Sequence, residues 1–139
     1  MSEVNDYQVG GDHYRSEIQH WDYIEENGIG YLEGCATKYA TRSRKKHQSP
    51  VEDLNKAIHY CKKLQSLFLA GKRVNRANSK IFPGVDSFSR ANNLSPQETQ
   101  VIAGLAYWQD AGDLEDVIEV IENMRDAALA AGDDAEEHH

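Results

Sequence analysis

The apolar residues of this chain recur at the spacing of an α-helix in four stretches, and this pattern restricts the fold to packed helices. In each stretch the apolar positions are three or four residues apart, so they lie on one side of the helix. We therefore predict an all-α protein. The four stripes are Leu32, Cys35, Ala36, Tyr39 and Ala40; Val51, Leu54, Ala57, Ile58, Cys61, Leu64, Leu67 and Phe68; Val101, Ile102, Leu105 and Ala106; and Val117, Ile118, Ile121, Met124 and Ala128.

Capping residues predict where these helices begin and end. Two segments, Ser49–Glu52 and Ser95–Glu98, each contain a serine, a proline and a glutamate at the positions of a capping box. A short helix is predicted from His20 or Trp21 to Glu26, closed by Gly28, with Trp21, Tyr23 and Ile24 anchoring it to the core. The next helix is predicted over 31–44, and the one that starts at Ser49 is predicted to end near 70–71.

The last two stripes resemble the first two, which predicts two helical hairpins offset by about 65 residues. The second hairpin is degenerate, because Ala103, Gly104 and Tyr107 replace Lys38, Tyr39 and Arg42. We predict an extended N-terminal arm and first hairpin over 1–70, a linker over 71–92 with Phe82 and Phe88 as anchors, the second hairpin over 93–131 and an acidic tail over 132–139. Small hairpins bury little surface alone, so we expect a homo-oligomer.

The charge of −8 is unevenly distributed along the chain. Residues 36–76 have a balance of +9, residues 1–35 of −7, and residues 91–139 of −11. A basic segment inside an acidic protein favours a small anionic ligand that is held locally. Duplex nucleic acid is an unfavourable ligand, since the acidic remainder would repel it.

Other features restrict location and metal chemistry. The first residues are polar and acidic, unlike a secretory signal, and no apolar run is long enough to span a membrane. Cys35 and Cys61 lie on apolar stripes and are read as reduced thiols of a cytoplasmic protein, rather than as a disulfide or metal ligands. No Cys-x-x-Cys or His-x-x-x-His pair is present, so we expect no metal and no cofactor. The terminal histidine pair is left out because it has the form of a tag remnant.

Four motifs occur in an order that is similar to a small phage-encoded family. They are Gly10-Gly11-Asp12-His13-Tyr14, the segment 18–24, Gly34 with Lys38-Tyr39-x-x-Arg42, and Glu52-Asp53-Leu54 with Lys56-Ala57. The family has long been described as a domain of unknown function and as nucleotide-kinase-like, and it includes a metal-independent kinase of deoxynucleoside monophosphates without a Walker motif. The resemblance covers about residues 9–68. Cys35 departs from the family pattern, which usually has Asn there.

The resemblance implies an all-helical oligomer that binds a nucleotide. Carried over residue by residue, it implies ligand contacts from His13, Tyr14, Lys38, Tyr39, Arg42, Asp53 and Lys56. The basic turn adds Arg44, Lys45 and Lys46, whose charges suit phosphate groups.

Three functions are compatible with these observations. In the first, the protein binds a nucleotide without turnover, for example a phage protein that sequesters a host-defence signal. Cations would neutralise the phosphates, and Tyr14, Tyr39 or Trp21 would stack on the base.

The second function is the metal-independent nucleoside monophosphate kinase of the family, which rests on the resemblance alone. Phosphoryl transfer depends mainly on positioning and charge neutralisation, and His13 or Asp53 would handle the proton. The third function is a structural oligomerisation module, with Leu64, Leu67 and Phe68 as the seam. The residues assign no catalytic side chain, and the first function is slightly favoured.

Overall fold

The computed structural model describes residues 18–42, 50–77 and 82–136, without the side chains of residues 42, 82, 83 and 133–136. The protein is all-α, as predicted. In these ranges the chain forms helices α1 (His20–Asn27), α2 (Tyr31–Arg42), α3 (Val51–Leu69), α4 (Phe82–Ala91), α5 (Pro96–Tyr107) and α6 (Ala111–Glu136). Among the described helices, none has the length and apolar character needed to cross a membrane.

The ends of the helices follow the local sequence. Gly28, Gly71 and Asn93 have positive φ angles of 67°, 74° and 53°, and each follows a helix. Beyond each helix, two backbone N–H groups bond back to carbonyls of the last turn, which is the Schellman arrangement. The capping box at Ser95 is confirmed, with reciprocal bonds of 3.1 Å and 2.8 Å between Ser95 and Glu98. The predicted cap Ser49 lies outside the described residues.

Four helices form the main bundle. α2 packs against α3 and α5, and α6 packs against the same two helices. Gln65 of α3 donates to the carbonyl of Ala111 at 2.9 Å, and Arg125 donates to Asn55 of α3 at 3.2 Å. Gln65, near the end of α3, meets the start of α6, whereas Asn55, near the start of α3, meets a later residue of α6. These two helices are therefore antiparallel. Their core includes all four predicted stripes, with Ala36, Ala40, Leu54, Cys61, Leu64, Leu105, Leu114, Ile118 and Ile121 almost fully buried.

A second core cluster lies between α1, α4 and α5. The rings of Tyr23 and Phe88 stack with centroids 4.6 Å apart, and both side chains are buried. Phe88 is therefore an anchor, as predicted. The prediction for 71–92 is otherwise corrected, since Phe82–Ala91 is helical and packs against α5. Its apolar residues are too few and too interrupted by serine, glycine and proline for the period to be recognised.

The last helix is longer than its apolar stripe. α6 begins at Ala111, because Asp110 Oδ1 accepts a hydrogen bond from Asp113 N–H at 2.9 Å and so caps the first turn. The helix then continues through the predicted tail to Glu136.

A buried ion pair connects three distant parts of the chain. Glu33 in α2 is 1% exposed, and Arg73 Nη2 lies 2.6 Å from its Oε1 and 2.8 Å from its Oε2. Trp108, between α5 and α6, donates its indole N–H to Oε2 at 2.9 Å. A Cβ at Gly30 would overlap the Arg73 guanidinium, so a larger residue there would require that side chain to move. This cluster fixes the start of α2 to the hairpin formed by α5 and α6.

Candidate ligand-binding surface on α2 and α3

The α2–α3 face, defined here by Lys38, Tyr39, Lys56 and Tyr60, brings cations and aromatic rings together. The rings of Tyr39 and Tyr60 are nearly parallel, with centroids 5.9 Å apart and an interplanar angle of 7°. Lys38 Nζ lies 5.5 Å from the centroid of Tyr39, and Lys56 Nζ lies 5.3 Å from it. Two ammonium groups therefore contact one aromatic ring, within the range of a cation–π interaction.

A groove of about 770 Å³ opens beside this face. Its walls come from α2 and from the first half of α3. The groove combines rings, one carboxylate and hydrogen-bonding groups, a mixture typical of small-molecule sites. Its lining residues are Tyr39, Val51, Glu52, Asn55, Lys56, His59 and Tyr60.

A second depression, of about 200 Å³, lies between α1 and α2 and is named here the α1–α2 depression. Trp21 and Tyr31 contribute its aromatic surface and are 57% and 76% exposed. Lys38 lines this depression as well, although it also contacts the ring of Tyr39. The other lining residues are His20, Ile24, Glu25, Gly34 and Cys35. The exposure of Trp21 corrects the prediction that it anchors α1 to the core.

His20 forms the inner wall of the α1–α2 depression. Its Nε2 lies 2.7 Å from the hydroxyl of Thr37, which itself donates to the carbonyl of Gly34 at 2.9 Å. This hydrogen bond holds the imidazole ring against α2. Burial, followed by the charge of Lys38, lowers the pKa of His20 from 6.5 to about 4. His20 is therefore neutral at neutral pH, and Lys38 supplies the charge at this wall.

Cys35 lines the depression and lies close to two tyrosines. A hydrogen bond with Cys35 is the main cause that raises the pKa of Tyr31, and the proximity of Cys35 also raises the pKa of Tyr60. Cys35 and Cys61 are not joined in a disulfide. Cys61 is in the core, where burial raises the pKa of its thiol to about 12. Cys35 was predicted to lie on the apolar stripe of α2. It is only half-buried, so it lies at the edge of the core rather than inside it.

The structure brings three of the predicted site residues together: Lys38, Tyr39 and Lys56. Asp53 is different, because its side chain is 0% exposed and lies beneath the surface. The remaining predicted residues, which are His13, Tyr14, Arg44, Lys45, Lys46 and the side chain of Arg42, lie outside the described part of the chain.

Tyr60, His59 and Asn55 line the groove but were not predicted as site residues. Lys56 and Tyr60 are four residues apart on α3, and the spacing of Lys56 and His59 is three, so all of them share one helix face. That spacing was a usable signal. Their proximity to Tyr39 was not predictable, since it depends on how α2 and α3 are rotated against each other.

Residues 9–62 match the family model described as a protein of unknown function, DUF3310. This range includes α1, α2 and the first part of α3, and therefore both the groove and the depression. The match agrees with the resemblance to a domain of unknown function and does not address kinase activity. No curated protein and no solved structure matches the chain. The chain is thus similar, over the part that forms the candidate surface, to a family of unknown function.

Proposed function

We propose that this protein binds a small phosphorylated nucleotide at the α2–α3 face. The observation that carries the proposal is the placement of the Lys38 and Lys56 ammonium groups around the ring of Tyr39. Both lysines are exposed, so their charges are available to a ligand. An adjacent pair of parallel tyrosine rings provides a planar apolar surface at the same position.

These groups match the two halves of a nucleotide. Lysine ammonium groups form charge-assisted hydrogen bonds with phosphate oxygens. Aromatic side chains stack on bases irrespective of their sequence, because every base has a π face. Asn55 and His59, which line the groove, offer hydrogen-bonding groups for the sugar or the base edge.

Binding without turnover is favoured over a kinase. Binding requires only cations and rings, and these lie together on the α2–α3 face. Asp53, one of the two candidates for proton transfer, is buried beneath that face. With the resemblance to a phage-encoded family, this supports a protein that sequesters a nucleotide, such as a host-defence signal.

The first test is isothermal titration calorimetry with a panel of nucleoside mono-, di- and triphosphates. We expect Lys38→Ala combined with Lys56→Ala to weaken binding at least about tenfold, because each charge-assisted hydrogen bond contributes about 1.5–3 kcal/mol. Helicity, followed by circular dichroism, should stay unchanged since both side chains are exposed.

The matched control is Lys62→Ala combined with Lys63→Ala, which removes the same charge from exposed positions of α3. Neither lysine lines the groove. Wild-type affinity in both double variants would contradict the assignment of the site. Equal weakening in both would mean that net charge, rather than this face, attracts the ligand.

Native mass spectrometry separates sequestration from turnover. The protein is incubated with the bound nucleotide and ATP, with and without EDTA. We expect the nucleotide to remain unchanged in mass. A product heavier by one phosphoryl group that forms in the presence of EDTA would instead assign the kinase activity.

A further inference from the structure

We infer that the α1–α2 depression is a second base subsite, so that the ligand contains two bases joined through phosphate. This inference rests on the proposed function, because it adds a subsite to the same surface. The first base would stack at Tyr39 and Tyr60, the linking phosphate would contact Lys38, and the second base would stack on Trp21 and Tyr31.

The exposure of Trp21 and Tyr31 is the first reason for the inference. Among the described residues, the exposed large hydrophobic side chains include three aromatics, which are Trp21, Tyr31 and Tyr107. Two of these three line the same depression. Exposed aromatic surface that is concentrated beside a charged group is typical of a recognition site rather than of scattered surface variation.

The position of Lys38 is the second reason. Its ammonium group contacts Tyr39 at the groove, and its side chain also lines the depression. Tyr31, Cys35 and Lys38 are spaced by four and three residues, so one face of α2 carries all three. Cys35 lines the depression with Tyr31, and its proximity also raises the pKa of Tyr60. One cation between two aromatic surfaces matches a phosphate between two bases.

The chemistry of the depression favours a base over a second phosphate. Its volume of about 200 Å³ is smaller than an ordinary ligand pocket, which suits one ring system. Glu25 lines it, and a carboxylate repels phosphate but accepts hydrogen bonds from a base amino group. Single-stranded nucleic acid sites elsewhere combine aromatic platforms and cations in the same way.

The inference is tested with three probes: AMP, adenosine 3′,5′-bisphosphate (pAp) and the 5′-phosphorylated dinucleotide pApA. The bisphosphate supplies a second phosphate without a second base, so it controls for charge. Since stacking contributes about 1–3 kcal/mol per base, we expect pApA to bind at least about fivefold more tightly than pAp. Trp21→Ala combined with Tyr31→Ala should remove this advantage, so that pApA binds no more tightly than pAp.

Tyr107→Ala is the matched control, because it removes an exposed aromatic ring from outside the depression. It should leave the preference for pApA intact. A preference that survives in the Trp21→Ala and Tyr31→Ala variant would overturn the inference. Binding of two AMP molecules per chain at the affinity of pApA would also overturn it, since the two bases would then need no connection.

Tryptophan fluorescence provides a second measurement on the unaltered protein. Trp21 is exposed, while Trp108, the other tryptophan, is 1% exposed. Quenching by pApA, absent with pAp and absent in Trp21→Phe, supports the second subsite. Equal affinity for AMP, pAp and pApA would remove only this inference, whereas failure of all three to bind would remove the proposed function as well.

Discussion

The imidazole of His20 is held in its neutral form against α2, close to the candidate surface. Burial and the charge of Lys38 both disfavour the imidazolium ion, and the pKa of His20 is lowered to about 4. The Thr37 hydroxyl, which is also buried, shares a hydrogen bond of 2.7 Å with its Nε2. A neutral His20 leaves Lys38 as the cation of this wall, so proton binding at His20 affects folding and the ligand surface together.

This pKa predicts a pH dependence of stability. Between the unfolded value of 6.5 and the folded value of about 4, the unfolded chain binds more protons than the folded chain. The contribution of His20 is therefore complete above about pH 6.5 and is lost as the pH falls toward 4. We expect His20→Gln to lower the slope of unfolding free energy against pH in this window, as measured by urea denaturation. An unchanged slope would contradict the assignment.

Glu33 is a buried acidic residue whose replacement should affect stability strongly. Its carboxylate holds Arg73 and the indole of Trp108, and removing one partner of a buried ion pair costs about 3–5 kcal/mol. We expect Glu33→Gln to lower the free energy of chemical unfolding by an amount near this range.

The exposed Glu119→Gln, which makes the same chemical change on α6, should alter stability little. Comparison of Glu33→Gln, Arg73→Met and the double variant measures the coupling between the two residues. Additive losses would show that the pair is not coupled.

At the scale of secondary-structure elements, the apolar period and the caps account for most of what the sequence predicts. The stripes place Leu54, Cys61 and Leu105 in the core, as the structure shows. α4 was missed because its helical period is short and interrupted, and its stability comes from packing of Val85 and Phe88 against other helices. Propensity alone carries little information about such a helix.

The Ser95 cap at the start of α5 is expected to contribute to the stability of the protein. Ser95 accepts from Glu98 N–H and donates its own N–H to the Glu98 side chain, which satisfies two groups at the start of α5. Ser95→Ala should lower stability by about 1 kcal/mol, while Ser95→Asp should retain most of it. Thermal and chemical denaturation measure the difference. Equal losses in both variants would mean that the cap does not stabilise α5.

At the scale of the whole molecule, the candidate surface is formed by α1, α2 and α3. The helices α5 and α6 contribute mainly core residues. The hairpin formed by α5 and α6 has Gly104 and Tyr107 where the first hairpin has Tyr39 and Arg42 under the predicted repeat. It contributes core residues to both clusters and receives the buried Glu33 through Trp108. Of the predicted oligomer seam of Leu64, Leu67 and Phe68, Leu64 is buried in the core of the chain, and the Phe68 ring lies 5.7 Å from that of Trp108.

Part of the candidate site was predictable from the sequence. Lys38, Tyr39 and Lys56 were identified by their motifs and by the charge of the segment. The pairing of Tyr39 with Tyr60 and the link from Glu33 to Arg73 were not predictable, because they join positions 21 and 40 residues apart through tertiary packing. Spacing along one helix indicates which residues share a face, but not which face of another helix they meet.

The most direct test of the account is an NMR titration of the tyrosine-labelled protein with a bound nucleotide. Tyrosine-to-phenylalanine variants assign the ring signals. We predict large shifts for Tyr39 and Tyr60, which line the groove, and none for the buried Tyr23 or for Tyr107. Shifts that are largest at Tyr107, or no shift at Tyr39 and Tyr60 under saturating ligand, would contradict nucleotide binding at the α2–α3 face.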